Sequence, residues 1–419
     1  MSDITMQPII IEGLLVDIDG VRFRQIAIEN GVIAEVGSHL GKADYSYPED
    51  CLIFAGMGDV HIHAREDTTG LETHKETFAT AAAAALHGGV VHVADMPNNK
   101  AAPIDDDSYQ AKRDLLDSQQ LEIEYTLYAG IGPGTRPLSK VVPYKAYMGP
   151  SVGDLFFRSL EDLDRTLQDY RGKAVSFHCE DPLLLEQHKN QPTHELRRPP
   201  ECELSATRFA LEMIAKHHLA GKLCHYSVRE GLPLIREAKA NNLAVTAEVT
   251  PHHVFFDTSI LTEENHGWMQ MNPPLRTPQD REALLEALRD GTCDYLATDH
   301  APHTIEEKQR GTSGQPHLDT FGPFVAWLLV DQGFPPHRVA EICSANPGEF
   351  VNPYNINKYG RLLAGYVGSL TVLNLKKPIT ITRESVLSKC GWSPFEGMTF
   401  PGSVEEVFLR GKPTVNREQ

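Results

Sequence analysis

The chemistry of this chain is concentrated in its histidines, of which there are nineteen among 419 residues. His61-Ile62-His63 closes an apolar run that begins at Val60. In a strand, residues i and i+2 share a face, so both imidazoles point the same way. Lys145, His178, His225 and Asp299 each stand at or near the C-terminal end of another apolar run. Taken singly, each has a bland reading: a core histidine, a lysine snorkelling from a strand end, or an aspartate capping the next segment. Their recurrence at the same end of separate runs favours one shared metal site. Imidazole and carboxylate ligands without thiolates suit zinc, or manganese, cobalt or iron. Two such ions need a bridging anion. A lysine ammonium has only donors and cannot ligate, whereas the carbamate it forms with carbon dioxide is a bidentate anion.

Something must bring these residues to one rim. Eight strand-like runs cover Val60–His63, Val90–Asp95, Ile123–Ala129, Val141–Met148, Ala174–Cys179, Lys222–Ser227, Ala244–Val249 and Tyr295–Thr298. Helical patterns separate most of them, at Thr73–His87, Asp105–Ser118, Leu160–Tyr170, Ser205–His218, Arg229–Ala240 and Pro278–Leu288. Eight β-then-α units predict an α/β chain whose residues 54–359 form a (β/α)8 TIM-like barrel, with its active site at the C-terminal ends of the strands. A doubly wound sheet is the alternative, but Gly130-Ile131-Gly132-Pro133-Gly134 lacks the dinucleotide spacing. Both ends read as short strands. Ile9-Ile10-Ile11 and Leu14-Leu15-Val16 are separated by Glu12-Gly13, and Asn30-Gly31 marks a hairpin. Runs Leu370–Leu375 and Val404–Leu409 resemble them, so residues 1–53 and 360–419 are expected to pair into one small β domain.

Composition narrows the partners. Hydrophobic residues make up 41% and charged residues 23%, as in folded globular proteins rather than disordered ones. The net charge of −18 argues against nucleic-acid binding, which rests on basic patches. It leaves a small anionic substrate open, because local arginines or metal ions reverse the field in a cleft. No run approaches the ~20 apolar residues of a membrane helix. Met1-Ser2-Asp3-Ile4 shows no secretory pattern. The seven scattered cysteines contain no CxxC pair and fit a reducing cytoplasm. A homodimer is the base-rate expectation.

The motifs Asp59-Val60-His61-Ile62-His63-Ala64-Arg65-Glu66, Asp95-Met96-Pro97-Asn98, Lys145-Ala146-Tyr147-Met148-Gly149, His178-Cys179-Glu180, Thr250-Pro251-His252-His253, Met271-Asn272-Pro273-Pro274 and Ala297-Thr298-Asp299-His300-Ala301-Pro302-His303 carry a family resemblance. The chain resembles the cyclic-amidase branch of the amidohydrolase superfamily, and within it the dihydroorotases, over nearly its whole length. The resemblance implies two zinc ions. His61, His63 and Asp299 would hold one, His178 and His225 the other, and carboxylated Lys145 would bridge them. It also implies a composite β sandwich from the two termini. A metal pair lowers the pKa of water and polarises the ring carbonyl. Asp299 would take up the proton and return it to the leaving ring nitrogen.

Substrate choice rests on other residues. Arg65 follows the histidine pair at i+2 and faces the same rim, where a guanidinium can grip a carboxylate in a fork. Asn98 and His303 can serve the same group, and Asn272 is a further substrate contact. Dihydroorotate carries a ring carboxylate, whereas dihydropyrimidines and simple hydantoins do not. The expected reaction is therefore the reversible opening of dihydroorotate to N-carbamoyl-aspartate, a step of pyrimidine synthesis. A hydantoinase-like or allantoinase-like amidase and a catalytically silent scaffold are the alternatives. His252 and His253 are read as supports rather than ligands. Asp67-Thr68-Thr69-Gly70 stands where the family has Pro-Gly after the Arg-Glu pair, and His317 where it more often has glycine. The stretch 303–317 is polar and long enough to be a lid.

Overall fold

A computed structural model describes residues 7–150 and 155–414; the four N-terminal residues read above lie outside the described residues. Eight parallel strands form the barrel: Met57–Ile62, Val90–Asp95, a third in two pieces (Glu124–Leu127 and Ala129–Ile131), Tyr144–Tyr147, Ala174–His178, Ala220–Leu223, Val245–Val249 and Tyr295–Leu296. Each pairs in parallel with its neighbour. The third strand breaks at Tyr128. Its first piece pairs with the second strand and its second piece with the fourth. The break is bridged by Tyr128 N–H donating to Asp95 O at 3.0 Å and Ala129 N–H to Pro143 O at 2.9 Å. The circle closes where Ile62 bridges His300 in parallel, with His63 N–H on His300 O at 2.8 Å.

Local chemistry sets the ends of these elements. The fourth strand begins at Tyr144 rather than at Val141 as expected, because Pro143 has no N–H for a ladder. The sixth begins two residues earlier than its apolar run and ends at Leu223, before His225. The first barrel helix spans Phe78–His87, not Thr73–His87; Thr77 caps it by accepting from Thr80 N–H at 3.1 Å. Ala81, Ala82, Ala84 and Ala85 are buried there, and their small side chains let the helix lie close to the sheet. The helix expected from Ser205 starts at Pro200, where proline suits the first turn.

The termini build the second unit. Ile9–Asp17 is one continuous strand, so Glu12-Gly13 does not interrupt it; the turn comes at Ile18-Asp19, before Gly20–Glu29 returns antiparallel. Asn30 and Gly31, at φ 51° and 81°, make the tight turn into Val32–Gly37. That is the turn an Asn-Gly pair predicts. Cys51–Ala55 lies between Ile9–Asp17, to which it is parallel, and Leu370–Asn374, to which it is antiparallel. Ser403–Leu409 continues the sheet on the far side of Leu370–Asn374. The whole is an eight-stranded sheet that interleaves both ends of the chain. Ile11, Ile26, Ile53, Leu370, Val372 and Phe408 form its own apolar core. No helix among the described residues is long and apolar enough to cross a membrane.

Candidate metal centre

The C-terminal ends of the barrel strands deliver four imidazoles, one carboxylate and one lysine into a single buried cluster. His61 Nε2 and His63 Nε2 both face Asp299 Oδ1, at 3.2 and 3.0 Å. His178 Nδ1 faces His225 Nε2 at 2.9 Å. One ligand atom each from His61, His225 and Asp299 falls within 4.8 Å of the others, which joins the two groups into one centre. Lys145 is fully buried two residues before the end of the fourth strand, its Nζ 2.8 Å from Cys224 Sγ. Among the described residues no carboxylate pairs with it. Arg65, His225 and Asp299 sit in the left-handed region, at φ 62°, 37° and 47°. Such backbone is costly for these residues and persists only where surrounding structure holds it, as at functional sites.

What holds the rings is as informative as the rings. The outward nitrogen of each of three histidines is engaged: His61 Nδ1 by the Glu248 carboxylate, His63 Nδ1 by Asn98 Oδ1 at 2.7 Å, and His178 Nε2 by Glu180 at 2.7 Å. A carboxylate or carbonyl acceptor there fixes the proton on that nitrogen and leaves the inward one with its lone pair for a cation. Glu248 is itself paired with Lys222, and Glu180 with Arg198. Burial pushes the imidazoles of His61, His63, His178 and His225 toward the neutral form, the form that ligates. Burial raises the Asp299 carboxyl to about 7, with Lys145 opposing the rise. Glu180, which burial alone would raise, is held at about 2 by the Arg198 guanidinium and by His178.

The donor set fits a divalent metal pair. In the structure, His178 and His225 aim ring nitrogens at each other, and two histidines converge on one carboxylate oxygen. Each is an arrangement that a cation between the donors satisfies. A second triplet, His61, Cys224 and Glu248, also lies within 4.8 Å, but Glu248 is already engaged by Lys222.

A pocket opens directly onto this cluster, lined by Arg65, Asn98, Tyr147, Asn272, Ser313 and Gly314 besides the ligand candidates. Arg65 is 3% exposed, and among the described residues its Nε has no hydrogen-bond partner and no carboxylate forms an ion pair with it. His303 lies behind Arg65 rather than on the pocket wall. Its Nδ1 is 3.1 Å from Glu307, and its Nε2 faces Arg65 Nη2 at 3.3 Å. Burial lowers His303 to about 3, so the ring is neutral and its Nε2 is the acceptor that aims the guanidinium. His252 and His253 are not brought to the ligand cluster. His252 Nδ1 contacts His317 Nε2 at 2.9 Å, and His253 Nε2 donates to Pro273 O at 3.0 Å. Sequence reasoning missed Glu248, Glu180, Asp59 and the hydroxyl of Tyr147. Asp59 receives Thr298 N–H and His61 N–H, both at 3.1 Å, and so ties the first strand to the segment before Asp299. The available signal was position: each stands two residues from a ligand candidate or on the inward face of a barrel strand.

Barrel, terminal sheet and histidine-rich rim together define a metal-dependent hydrolase. Residues 167–414 match the amidohydrolase family. The chain is 36% identical to the dihydroorotase of Pyrococcus abyssi over 86% of this chain and 83% of that one. It is 31% identical to the dihydroorotase of Bacillus licheniformis over 97% and 98%. Its fold is that of the L-hydantoinase from Arthrobacter aurescens, with a TM-score of 0.88 at 23% identity over 99% and 97% of the two chains. The chain belongs to the amidohydrolase family, in its dihydroorotase branch.

Proposed function

We propose that this chain hydrolyses the cyclic amide of dihydroorotate to N-carbamoyl-aspartate and closes the ring in the reverse direction, the direction pyrimidine synthesis requires. The observation that carries the choice of substrate is Arg65: a buried guanidinium on the pocket wall that, among the described residues, forms no direct ion pair with a carboxylate, Glu72 and Asp299 acting on its charge only from farther off. Burying an unpaired cation is expensive, and a ring carboxylate repays the cost with a charge-assisted fork. Hydantoins and dihydrouracil lack that group, so the hydantoinase-like alternative leaves Arg65 unexplained.

His61, His63 and Asp299 would hold one divalent ion, most simply zinc, and His178 and His225 a second, with Lys145 carboxylated on Nζ as the bridge. Such a pair supplies an acidified water and a polarised carbonyl. The protein does the rest. Arg65, aimed by His303, fixes the carboxylate, and Asn98 and Asn272 shape the pocket around the ring, so that the amide carbon is presented in one orientation. Asp299 takes the proton of the attacking water and hands it to the ring nitrogen as the carbon–nitrogen bond breaks. The buried, unpaired cysteines are consistent with a reducing compartment.

The test is turnover of dihydroorotate by zinc-supplemented protein, read as loss of the ring amide absorbance. Turnover on dihydroorotate well above that on hydantoin, dihydrouracil and allantoin is the expected result. Preference for any of the uncharged rings overturns the assignment.

A further inference from the structure

The hydroxyl of Tyr147 is buried on the wall of the catalytic pocket and has no hydrogen-bond partner among the described residues. Its ring packs under the site, with Lys145 Nζ 5.2 Å from its centroid and the His178 ring 6.1 Å away. Packing explains an aromatic ring there but not the hydroxyl, since phenylalanine would fill the same space. A buried O–H with no protein acceptor needs a partner from elsewhere, and a ligand in the pocket it lines can supply one. The mechanism above gives it no work.

Position decides which ligand atom it serves. Tyr147 ends the fourth strand two residues after Lys145, so both side chains face the barrel interior. In the ladder it is in register with His178 on the fifth strand. It therefore stands on the side of the pocket formed by His178. Arg65 follows the first strand and takes the carboxylate end of the ring. Of the two ring carbonyl oxygens that remain as acceptors, the amide oxygen is the one that gains charge as water adds.

We propose that Tyr147 is a catalytic residue whose hydroxyl donates a hydrogen bond to the carbonyl oxygen of the amide under attack. This rests on the reading of the site as a cyclic amidase. As water adds, that oxygen gains negative charge and the hydrogen bond strengthens, so its contribution appears in turnover rather than in ground-state binding. No covalent bond to tyrosine forms, and the phenol keeps its proton.

Tyr147→Phe removes only the oxygen. The expected result is a kcat lowered roughly 10- to 100-fold, as for loss of one donor to a developing oxyanion, with KM changed less than about threefold. Bound zinc per chain should equal wild type, and so should the calorimetric affinity for orotate, a planar ring that keeps the carboxylate. The loss in kcat should be the same for every cyclic amide the wild type opens, with or without a carboxylate. A kcat within about twofold of wild type overturns the proposal, as does a rise in KM and weakened orotate binding at unchanged kcat. If Tyr147→Phe loses metal, 3-fluorotyrosine at position 147 restores the hydroxyl as a stronger donor. Recovery of metal without recovery of kcat then overturns it. Wild-type protein that ignores dihydroorotate but opens another ring removes the substrate assignment and leaves the Tyr147 comparison standing on that ring.

Discussion

Asp299 has two duties in the proposed reaction, ligand and proton carrier, and both histidines of the first strand end meet the same one of its oxygens. Asp299→Ala should therefore lower kcat by a factor of about 10⁴ or more while the far-ultraviolet circular dichroism stays native; retention of a tenth of the rate would remove it from the mechanism. Arg65→Met keeps the bulk and deletes the charge. It should cut kcat/KM for dihydroorotate by about 100-fold or more and affect an uncharged ring far less. The geometry behind Arg65 allows a finer experiment. Glu307 accepts from His303 Nδ1 and thereby leaves Nε2 as an acceptor for the guanidinium. Glu307→Gln can present an N–H to that nitrogen and reverse the tautomer, turning a second donor toward Arg65. KM for dihydroorotate should rise roughly tenfold; an unchanged KM would show that Arg65 needs no such guide. The proposed ligand residues stood out in the sequence because each lies at or near the end of an apolar run, a property of its own neighbourhood. Glu248 could not be paired with His61 in that way, since they lie 187 positions apart and meet only across the closed barrel.

Among the elements, the segment 303–317, polar and long enough to be a lid, is tied down at one point. Ile305–Gln309 is a short helix, and its Lys308 is fully buried. The Lys308 ammonium donates to Gln270 O, Thr312 O and Gly314 O at 3.0, 2.7 and 2.9 Å. One side chain thus knots together the two loops that present Asn272, Ser313 and Gly314 to the pocket. The sequence displays polar residues and glycines there, which describe a mobile loop equally well, because the three carbonyls belong to no pattern of side chains. Lys308→Met should raise KM about tenfold and speed amide exchange across residues 311–315, with kcat less affected; slow exchange in the variant would mean that the loop holds itself. The close packing of the first barrel helix gives a second test. A Cβ on Gly88 would collide with Leu318 O, a backbone atom that cannot swing aside. Gly88→Ala should cost about 3 kcal/mol in denaturant unfolding, and a loss under about 1 kcal/mol would mean that the 318–322 segment can shift. The strands of the terminal sheet were readable from their short apolar runs and the Asn30-Gly31 turn. The joining of Ile9–Asp17 into a single strand was not, because Glu12 and Gly13 look like a turn locally yet continue the ladder to Gln25 and Arg24.

For the molecule as a whole, the barrel and the terminal sheet are bound together by the chain passing between them more than once, and Asp17 secures the return by accepting from Arg361 Nε at 2.7 Å and Leu362 N–H at 3.1 Å. The proposed ions add a further tie. Chelation of the metals should lower the thermal midpoint by about 5 °C or more, and zinc should restore it, because ligands bound only by the native state stabilise it. An unchanged midpoint would leave the centre without a structural share. That tie lies at a particular place. The first strand meets the segment that follows the eighth at the Ile62–His300 bridge, and the residues proposed for one ion straddle that seam, His63 and Asp299 being 236 positions apart. A chain emerging from the ribosome therefore displays its histidine pair long before the carboxylate that completes the site exists. Full-affinity capture of that ion waits until the last barrel strand has been made and seated, so the loaded centre reports that the ring has shut.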